Sequence, residues 1–411
     1  MDQQELIPHL FRTEFSKITA VLCKLFGIGH VAEAEDIASD TFLQAYETWT
    51  YKGVPPNPTA WLYTVAKNKA RNHMHRHAIF TDTVSAHVRH MTMHVADTDI
   101  DLSDKNITDS QLQMLFAICD PCIPADAQIG LALRVLCGFG IEEIANAFLT
   151  NKETINKRLF RAKEKLRQEG VKIELPGEAE IGRRLETVTK TLYLLFSEGY
   201  YSESQDEVLR NDLCLEAMRL CYMLIENEQT NRPESNALLS LMCFHASRFA
   251  ARKDKNGALI LYDDQDETLW NRELITRGVY FLNQASRGSI VSKYHLEAAI
   301  AYWHTQKEDT KEKWEHILQH YNQLLQIEYS PIAALNRTYA LSKANSKQEA
   351  ITEAEKLDLS GNHFYFTLLG ELYTGIDDVK AQHHFQSAIR LAKTQTDKQT
   401  IQRKIDNLSI R

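Results

Sequence analysis

An all-α fold is what the 411-residue sequence predicts, on three observations. Glycine (16) and proline (9) together reach only about half of their usual combined share, too few for turn-dense sandwiches, barrels or disordered low-complexity chains. Apolar residues recur at spacings of three and four along most of the chain, the signature of amphipathic helices. Near the C-terminus Leu335, Tyr339, Ala354 and Leu357 return as Leu369, Tyr373, Ala388 and Leu391, each 34 positions later, the length of one tetratricopeptide helix pair. At about 150 residues per domain, the length accommodates two or three domains.

The overall charge excludes a simple polycation: 47 basic against 55 acidic residues give −8, an average that hides basic segments in an acidic frame. The opening MDQQELIPHLFR lacks the basic and apolar regions of a signal peptide. The longest apolar stretches, such as Leu192 to Phe196, fall far below the ~18 residues of a membrane span. A cytoplasmic protein with no membrane contact is therefore expected. Seven cysteines, an odd number, supply no disulfide framework, and the one CxxC pair (Cys119, Cys122) has no second pair to complete a zinc tetrahedron. They read as buried thiols in a reducing compartment, and no metal or cofactor is expected.

Residues 5–77 read as a helical bundle from Leu6, Leu10, the Ile18/Val21/Leu22/Leu25 set and Ile37/Phe42/Leu43/Tyr46/Trp49, all counted toward the apolar face. The loop KGVPPNP, residues 52–58, is followed by Thr59, a suitable N-cap for a helix beginning near Ala60. From Trp61 to His77 that helix carries Lys67, Lys69, Arg71 and Arg76 and no acid, a local +4. Its aromatics (Trp61, Tyr63), amides (Asn68, Asn72) and cations form the combination that binds single-stranded nucleic acid, bases stacking while cations hold the backbone. Trp61 and Tyr63 have an equally good reading as core residues.

Periodicity fades between Thr81 and Asp109, and residues 97–109 hold five aspartates against Lys105, which reads as a linker. A second helical block runs from Ser110 to Gly170 and contains the two-helix rhythm of a helix-turn-helix, with Ile144, Ala145 and Phe148 facing Ile155 and Leu159. Residues 151–172 carry eight Lys/Arg against three Glu. A second helix of this kind enters the major groove, and Lys152, Thr154, Asn156, Lys157, Arg158, Arg161 and Lys163 are placed to reach phosphates and base edges. The alternative is a solvated basic face, which the preceding GIEEIANAF helix and turn argue against. From about Pro176 onward the chain is helical again, and the two clear 34-residue copies require completion by less regular helices around Trp303, Trp314, Tyr321 and Pro331.

Three segments in this order carry a family resemblance: AEDIASDTFLQAYETW, NPTAWLYTVAKNKARNHMHRH and, beyond the acidic stretch, the helix-turn-helix ending TINKRLFRAKEKLR. Together they resemble bacterial RNA polymerase sigma factors of the extracytoplasmic-function (ECF) type. The continuation LYLLFSEGYYS, RNDLCLEAMRL and LYDDQDETLWNRELI is similar to the subgroup with a long tetratricopeptide-like C-terminal extension. The resemblance implies sigma domain 2 over 1–80, an acidic linker over 81–109, sigma domain 4 over 110–172 and a TPR-like extension over 173–411. It also implies core RNA polymerase and promoter DNA as partners. Asp36, Asp40, Thr41 and Gln44 match the polymerase-docking helix. Trp61, Lys67, Asn68, Arg71, Asn72 and Arg76 match the part that captures the melted minus-ten element, and the seven residues from Lys152 to Lys163 match the minus-thirty-five reader. The linker aspartates, by the same resemblance, would lie in the polymerase's RNA path. Two departures stand out: Leu149 occupies a position where many such turns have glycine, and His73, His75 and His77 crowd the minus-ten helix.

Two other functions have residues in the sequence that could serve them. An enzyme would draw on Asp263, Asp264, Asp266 and Glu267, or on His245 with nearby acids, but no phosphate loop, nucleophile elbow or repeated His/Cys spacing accompanies them. No catalytic residue is expected. A conventional helix-turn-helix regulator with a TPR-like sensor domain is the better rival, and initiation in the absence of another sigma factor separates the two. Stacked helix pairs in the extension predict a concave surface for a protein or peptide partner.

Overall fold

The computed structural model describes residues 3–82, 100–201, 207–252, 260, 262–357, 359–392 and 395–409, and among them there are helices and no strand. The chain divides into two compact units, Met1–Thr230 and Asn231–Arg411.

The first unit opens with α1 (Gln3–Phe26), α2 (Val31–Lys52) and α3 (Pro58–Asp82). Phe15, Ile18, Leu22, Ala34, Phe42, Trp49, Leu62, Ala66 and Ala70 are buried at the helical spacings seen in the sequence. Two expectations fail here. Leu43 and Tyr46 are more than half exposed, so they belong to the outer face of α2, and Leu25 near the end of α1 is exposed as well. The cap of α3 is Asn57, whose Oδ1 accepts from the Ala60 amide at 3.0 Å, and the helix starts one residue before Thr59 because proline fits a first turn that needs no amide donor.

The second block comprises α4 (Asp104–Ile118), α5 (Ala125–Leu131) running into a π-helical turn (Ala132–Leu136), α6 (Ile141–Ala147) and α7 (Lys152–Gln168). The expected linker is shorter than 81–109. Ser103 caps α4, its side chain accepting from the Asn106 amide, so residues 104–109 are helical. Asp97 and Asp99 lie outside the described residues, and Asp101 sits just ahead of the cap.

α8 (Glu178–Tyr201) and α9 (Glu207–Glu226) follow, and they belong to the first unit. The division expected at 172/173 therefore falls at 230/231, because long polar side chains tie these helices to the preceding block. Arg184 donates to the Phe116 carbonyl at 2.7 Å and pairs with Asp120 at 3.0 Å. Thr191 donates to Gln128 at 2.7 Å, and Arg219 donates to the Leu136 carbonyl at 2.7 Å.

The second unit strings together α10 (Pro233–Ala246), α11 (Arg272–Ala285), α12 (Lys293–Trp303), α13 (Lys311–Ile327), α14 (Pro331–Ala344), α15 (Lys347–Glu355), α16 (His363–Tyr373), α17 (Asp378–Leu391) and α18 (Gln395–Ser409). Leu335, Ala354, Leu369, Tyr373 and Ala388 from the 34-residue repeat lie in one apolar cluster, with Tyr339 and Leu357 packed against it. Trp314, Ile317 and Leu324 anchor a neighbouring cluster that Trp303 and Tyr321 flank.

Gly370 shows why one repeat position is glycine. A Cβ there would lie 2.5 Å from the Phe385 ring, so α16 and α17 approach as closely as they do only without one. Alanine normally favours a helix over glycine by about 1 kcal/mol, but here overpacking reverses the sign. Gly370→Ala is expected to destabilise the protein by about 1–3 kcal/mol in urea unfolding. Gly182→Ala in α8, where a Cβ meets nothing within 4 Å, is expected to stabilise by about 0.5–1 kcal/mol.

Candidate nucleic-acid and polymerase interfaces

On α3 the buried residues Leu62, Ala66 and Ala70 define the inner face. At 100° per residue, Trp61, Asn68, Arg71 and Asn72 fall within about 100° of one another on the opposite side. Asn68, Arg71, Asn72 and Arg76 are exposed, whereas Trp61 and Lys67 are half-buried. Lys67 and Arg76 flank the central group on opposite sides. Trp61 rests edge-on against Trp49, ring centroids 5.3 Å apart, which fixes its indole at the rim of the bundle. Tyr63 takes the core alternative: its hydroxyl donates to Glu14 Oε2 at 2.6 Å, and burial together with that carboxylate pushes its pKa up. Of the three crowded histidines, His73 packs against Phe26 at 5.4 Å.

On α2, Asp36, Asp40 and Gln44 are exposed and lie at successive helical turns. Thr41 does not join them. It is fully buried, which takes it off the exposed face, and its hydroxyl donates to the Ile37 carbonyl at 2.7 Å within the helix. The exposed Leu43 (56%) and Tyr46 (61%) border this acidic row on the side away from Thr41. Sequence spacing missed both, because α2 has apolar residues on more than one side.

α6, the turn after it and α7 form the helix pair expected over 141–168. Asn151 caps α7, accepting from the Thr154 amide at 2.8 Å. Leu149 adopts the left-handed conformation, φ 48°, that glycine often supplies in such turns, and its side chain is 64% exposed. Ile144, Ala145, Ile155 and Leu159 are buried between the helices as expected, while Phe148 is half-buried beneath the Arg158 guanidinium at 5.3 Å.

The seven candidate residues on α7 separate into groups. Thr154, Lys157, Arg158 and Arg161, with Lys165, line a cleft of about 500 Å³ whose other wall is Cys122, Ile123, Pro124 and Ala127. Among the described residues Lys157 and Arg161 have no ion-pair partner. Arg158 reaches Asp126 only at 3.8 Å, and its buried Nη1 has no hydrogen-bond partner. Lys152 pairs with Glu142 at 2.8 Å, and Asn156 is exposed. Lys163 points elsewhere, at least about 120° around the helix from the cleft residues. It is ion-paired with Glu35 of α2.

Glu35 is itself the least exposed acid on α2, with 9% of its side chain accessible, and it also binds Arg134 Nε at 2.8 Å. A second charged junction lies at Arg12 of α1, whose guanidinium meets Asp212 at 2.6 Å and Glu143 at 3.3 Å. Asp101 lies close enough to Lys67 and Lys24 to feel their charge. Its carboxyl is held below the usual range, chiefly by hydrogen bonds from the Ser103 amide and hydroxyl.

The remaining candidates carry no site. Asp264, Asp266 and Glu267 are exposed, and Asp266 caps a short 3₁₀ turn through the Thr268 amide. The Asp263 side chain lies outside the described residues. His245 is half-buried, and desolvation together with the nearby Arg248 and Arg252 charges keeps its pKa well below the usual range. Six of the seven cysteines are buried and all are free. Burial pushes the Cys119 thiol up to about 12. Among the described residues no three His, Cys, Asp or Glu side chains gather into a metal site, and no helix is long and apolar enough to cross a membrane.

Comparison with known proteins assigns these helices to a class. Residues 10–78 match Sigma-70 region 2, and residues 184–286 match a family of unknown function (DUF6596). The chain is 32% identical over 384 residues, 92% of its own length and 90% of the other's, to an uncharacterized protein of Rhizobium meliloti. It is 27% identical over 136 residues to the RNA polymerase sigma-H factor of Pseudomonas aeruginosa, covering 32% of this chain and 70% of that one. Over 133 residues it is 26% identical to the ECF RNA polymerase sigma-E factor of Haemophilus influenzae, covering 31% and 70%. No solved structure matches. The α1–α3 bundle with its cationic third helix is thus a sigma-70 region 2. The chain therefore carries a sigma-70 region 2, is similar over its N-terminal third to ECF-type RNA polymerase sigma factors, proteins of transcription initiation, and continues into a long C-terminal extension.

The cleft depends on α7 starting where it does. Asn151→Ala removes the cap and is expected to cost about 1 kcal/mol of stability, read by thermal unfolding, with fraying confined to the first turn that carries Lys152 and Thr154.

Proposed function

We propose that the protein binds core RNA polymerase through the exposed face of α2, formed by Asp36, Asp40, Gln44, Leu43 and Tyr46. In the holoenzyme it holds the opened minus-ten strand on α3 and the minus-thirty-five duplex on the cleft side of α7. The observation that carries this reading is the pair of cationic faces on two separate helices. One is built from amides, Arg71 and a rim tryptophan, as single strands require. The other has Lys157, Arg161 and Arg158 along a cleft with apolar walls, as a phosphodiester backbone beside a helix in the major groove requires. On this assignment α6–α7 is the helix-turn-helix of sigma domain 4. Arg158, Arg161 and Asn156 carry base discrimination, and Lys157 and Lys152 position the helix. The net charge of −8 disfavours binding to free DNA, so the polymerase must present these faces. The helix pairs from α13 to α18 have the rhythm of TPR-like repeats, and we assign them a protein or peptide partner.

Run-off transcription with purified core polymerase tests the reading directly: the chain alone should confer promoter-dependent initiation. Failure to associate with core enzyme would remove it in favour of a conventional regulator. Within the holoenzyme, Lys157→Ala or Arg161→Ala should each reduce the slope of log affinity against log salt by about one. Lys163→Ala should leave that slope unchanged.

A further inference from the structure

Within the second unit a group of cations and aromatic rings surrounds Tyr262, in the short 3₁₀ turn Tyr262–Asp264 between α10 and α11. The Arg248 guanidinium lies over the Tyr262 ring at 5.5 Å, and the Lys307 and Lys313 ammonium groups at 5.3 and 5.1 Å. The Trp270 and His304 rings are 6.3 and 5.2 Å away. Gln265 joins the same turn, its amide donating to the Tyr262 carbonyl at 3.2 Å.

Arg248 is only 8% exposed, yet among the described residues no carboxylate pairs with it, and its buried Nε has no hydrogen-bond partner. Stacking on Tyr262 occupies the face of the cation, but its N–H donors lie in the guanidinium plane and need acceptors. A buried charge persists where an opposite charge reaches it. The neighbours share the deficit: among the described residues, Trp270 Nε1, Gln265 Oε1 and His304 Nδ1 are also buried without partners. Lys307 donates to the Tyr262 and Gln265 carbonyls, both at 3.0 Å, and the buried Lys313 to the Tyr262 hydroxyl at 3.0 Å and the Gln306 carbonyl at 2.6 Å. These acceptors are neutral, so they fix the ammonium groups without cancelling their charge. Asp309 feels the Lys313 charge, but it is exposed and binds Lys343 at 2.8 Å and the Trp314 indole. Burial, reinforced by Arg248 and Lys313, holds the His304 pKa down to about 3, so this ring stays neutral.

We propose that this cluster binds inorganic phosphate in its hydrogenphosphate form, with Arg248 as the principal ligand and Trp270 as a second donor. Every residue of the cluster lies in the unit Asn231–Arg411, so the proposal stands apart from the promoter reading. The donors are a guanidinium fork and an indole on different elements, which a tetrahedral group with several oxygens can serve at once. Gln265 selects the protonation state. Its amide nitrogen donates to the Ile260 carbonyl at 3.3 Å, which leaves Oε1 as an acceptor. Hydrogenphosphate has a hydroxyl to offer it, whereas sulfate and carboxylates have none.

Isothermal titration calorimetry of the full chain with inorganic phosphate, at constant ionic strength and about pH 7.5, tests this. At that pH a phosphomonoester, with its second pKa near 6, is mainly a dianion without the hydroxyl. Phosphate should bind at least ~5-fold more tightly than sulfate, acetate or glycerol phosphate. Arg248→Gln should weaken phosphate binding at least ~10-fold, and Trp270→Phe, which keeps a ring and removes the N–H, at least ~3-fold. Arg287→Gln, at an exposed position, should change nothing. Absence of phosphate binding, equal affinity for sulfate or glycerol phosphate, or wild-type affinity in Arg248→Gln would each overturn the proposal. Should Arg248→Gln fail to fold, Trp270→Phe and the comparison of anions on the wild-type chain decide it.

Discussion

The Glu35 carboxylate sets the terms for the whole N-terminal unit, because an anion with so little of its side chain exposed persists only where cations are brought to it. Here they arrive from positions 134 and 163, in the second helical block. Removing one partner from such a buried cluster costs about 3–5 kcal/mol, since the survivors keep their burial without their compensation. The Arg12 junction is weaker. Its guanidinium is 54% exposed, and solvated pairs of that kind contribute about 0–1 kcal/mol. The comparison ranks the two: Glu35 fixes how the blocks register, and Arg12 adds a second point of orientation that includes α9.

That ranking places the first helices of the extension in the sigma unit. Arg184 and Arg219 donate to backbone carbonyls of the second block, at the buried residues Phe116 and Leu136. Asp212 takes part in the Arg12 junction. The segment matching the family of unknown function begins at residue 184 and ends at 286, so it straddles the division at 230/231. A truncation made where the composition changes, near residue 173, therefore strips supports from the sigma helices themselves. One made after Thr230 removes only the second unit.

Much of this was legible in the chain. Helix content rests on short-range spacing, and the described residues are helical where that spacing put helices. What was not legible needed information from far away in sequence. Leu43 and Tyr46 share their spacing with Trp49, and only the packing of α1 and α3 decides that Trp49 goes inside. Thr41 sits among acids that look like a surface, but lies one residue from Phe42 on the inner side of α2. The Thr59 cap lost to Asn57 because proline can occupy the first helical turn. Lys163 looked like a DNA ligand on a basic helix, and its partner is 128 residues away.

These misplacements share a cause that bears on function. Periodicity identifies the face of a helix that is apolar, but it cannot separate polar residues reserved for a foreign partner from polar residues used to join two parts of the same chain. In this protein the second kind sits beside the first: Glu35 precedes Asp36, and Lys163 follows Arg161 by two positions. Internal ion pairs thus lie one or two positions from exposed charges on the same helices. Asn68 and Arg71 on α3 and Lys157 and Arg161 on α7 remain exposed, each within a few positions of a residue spent on internal packing.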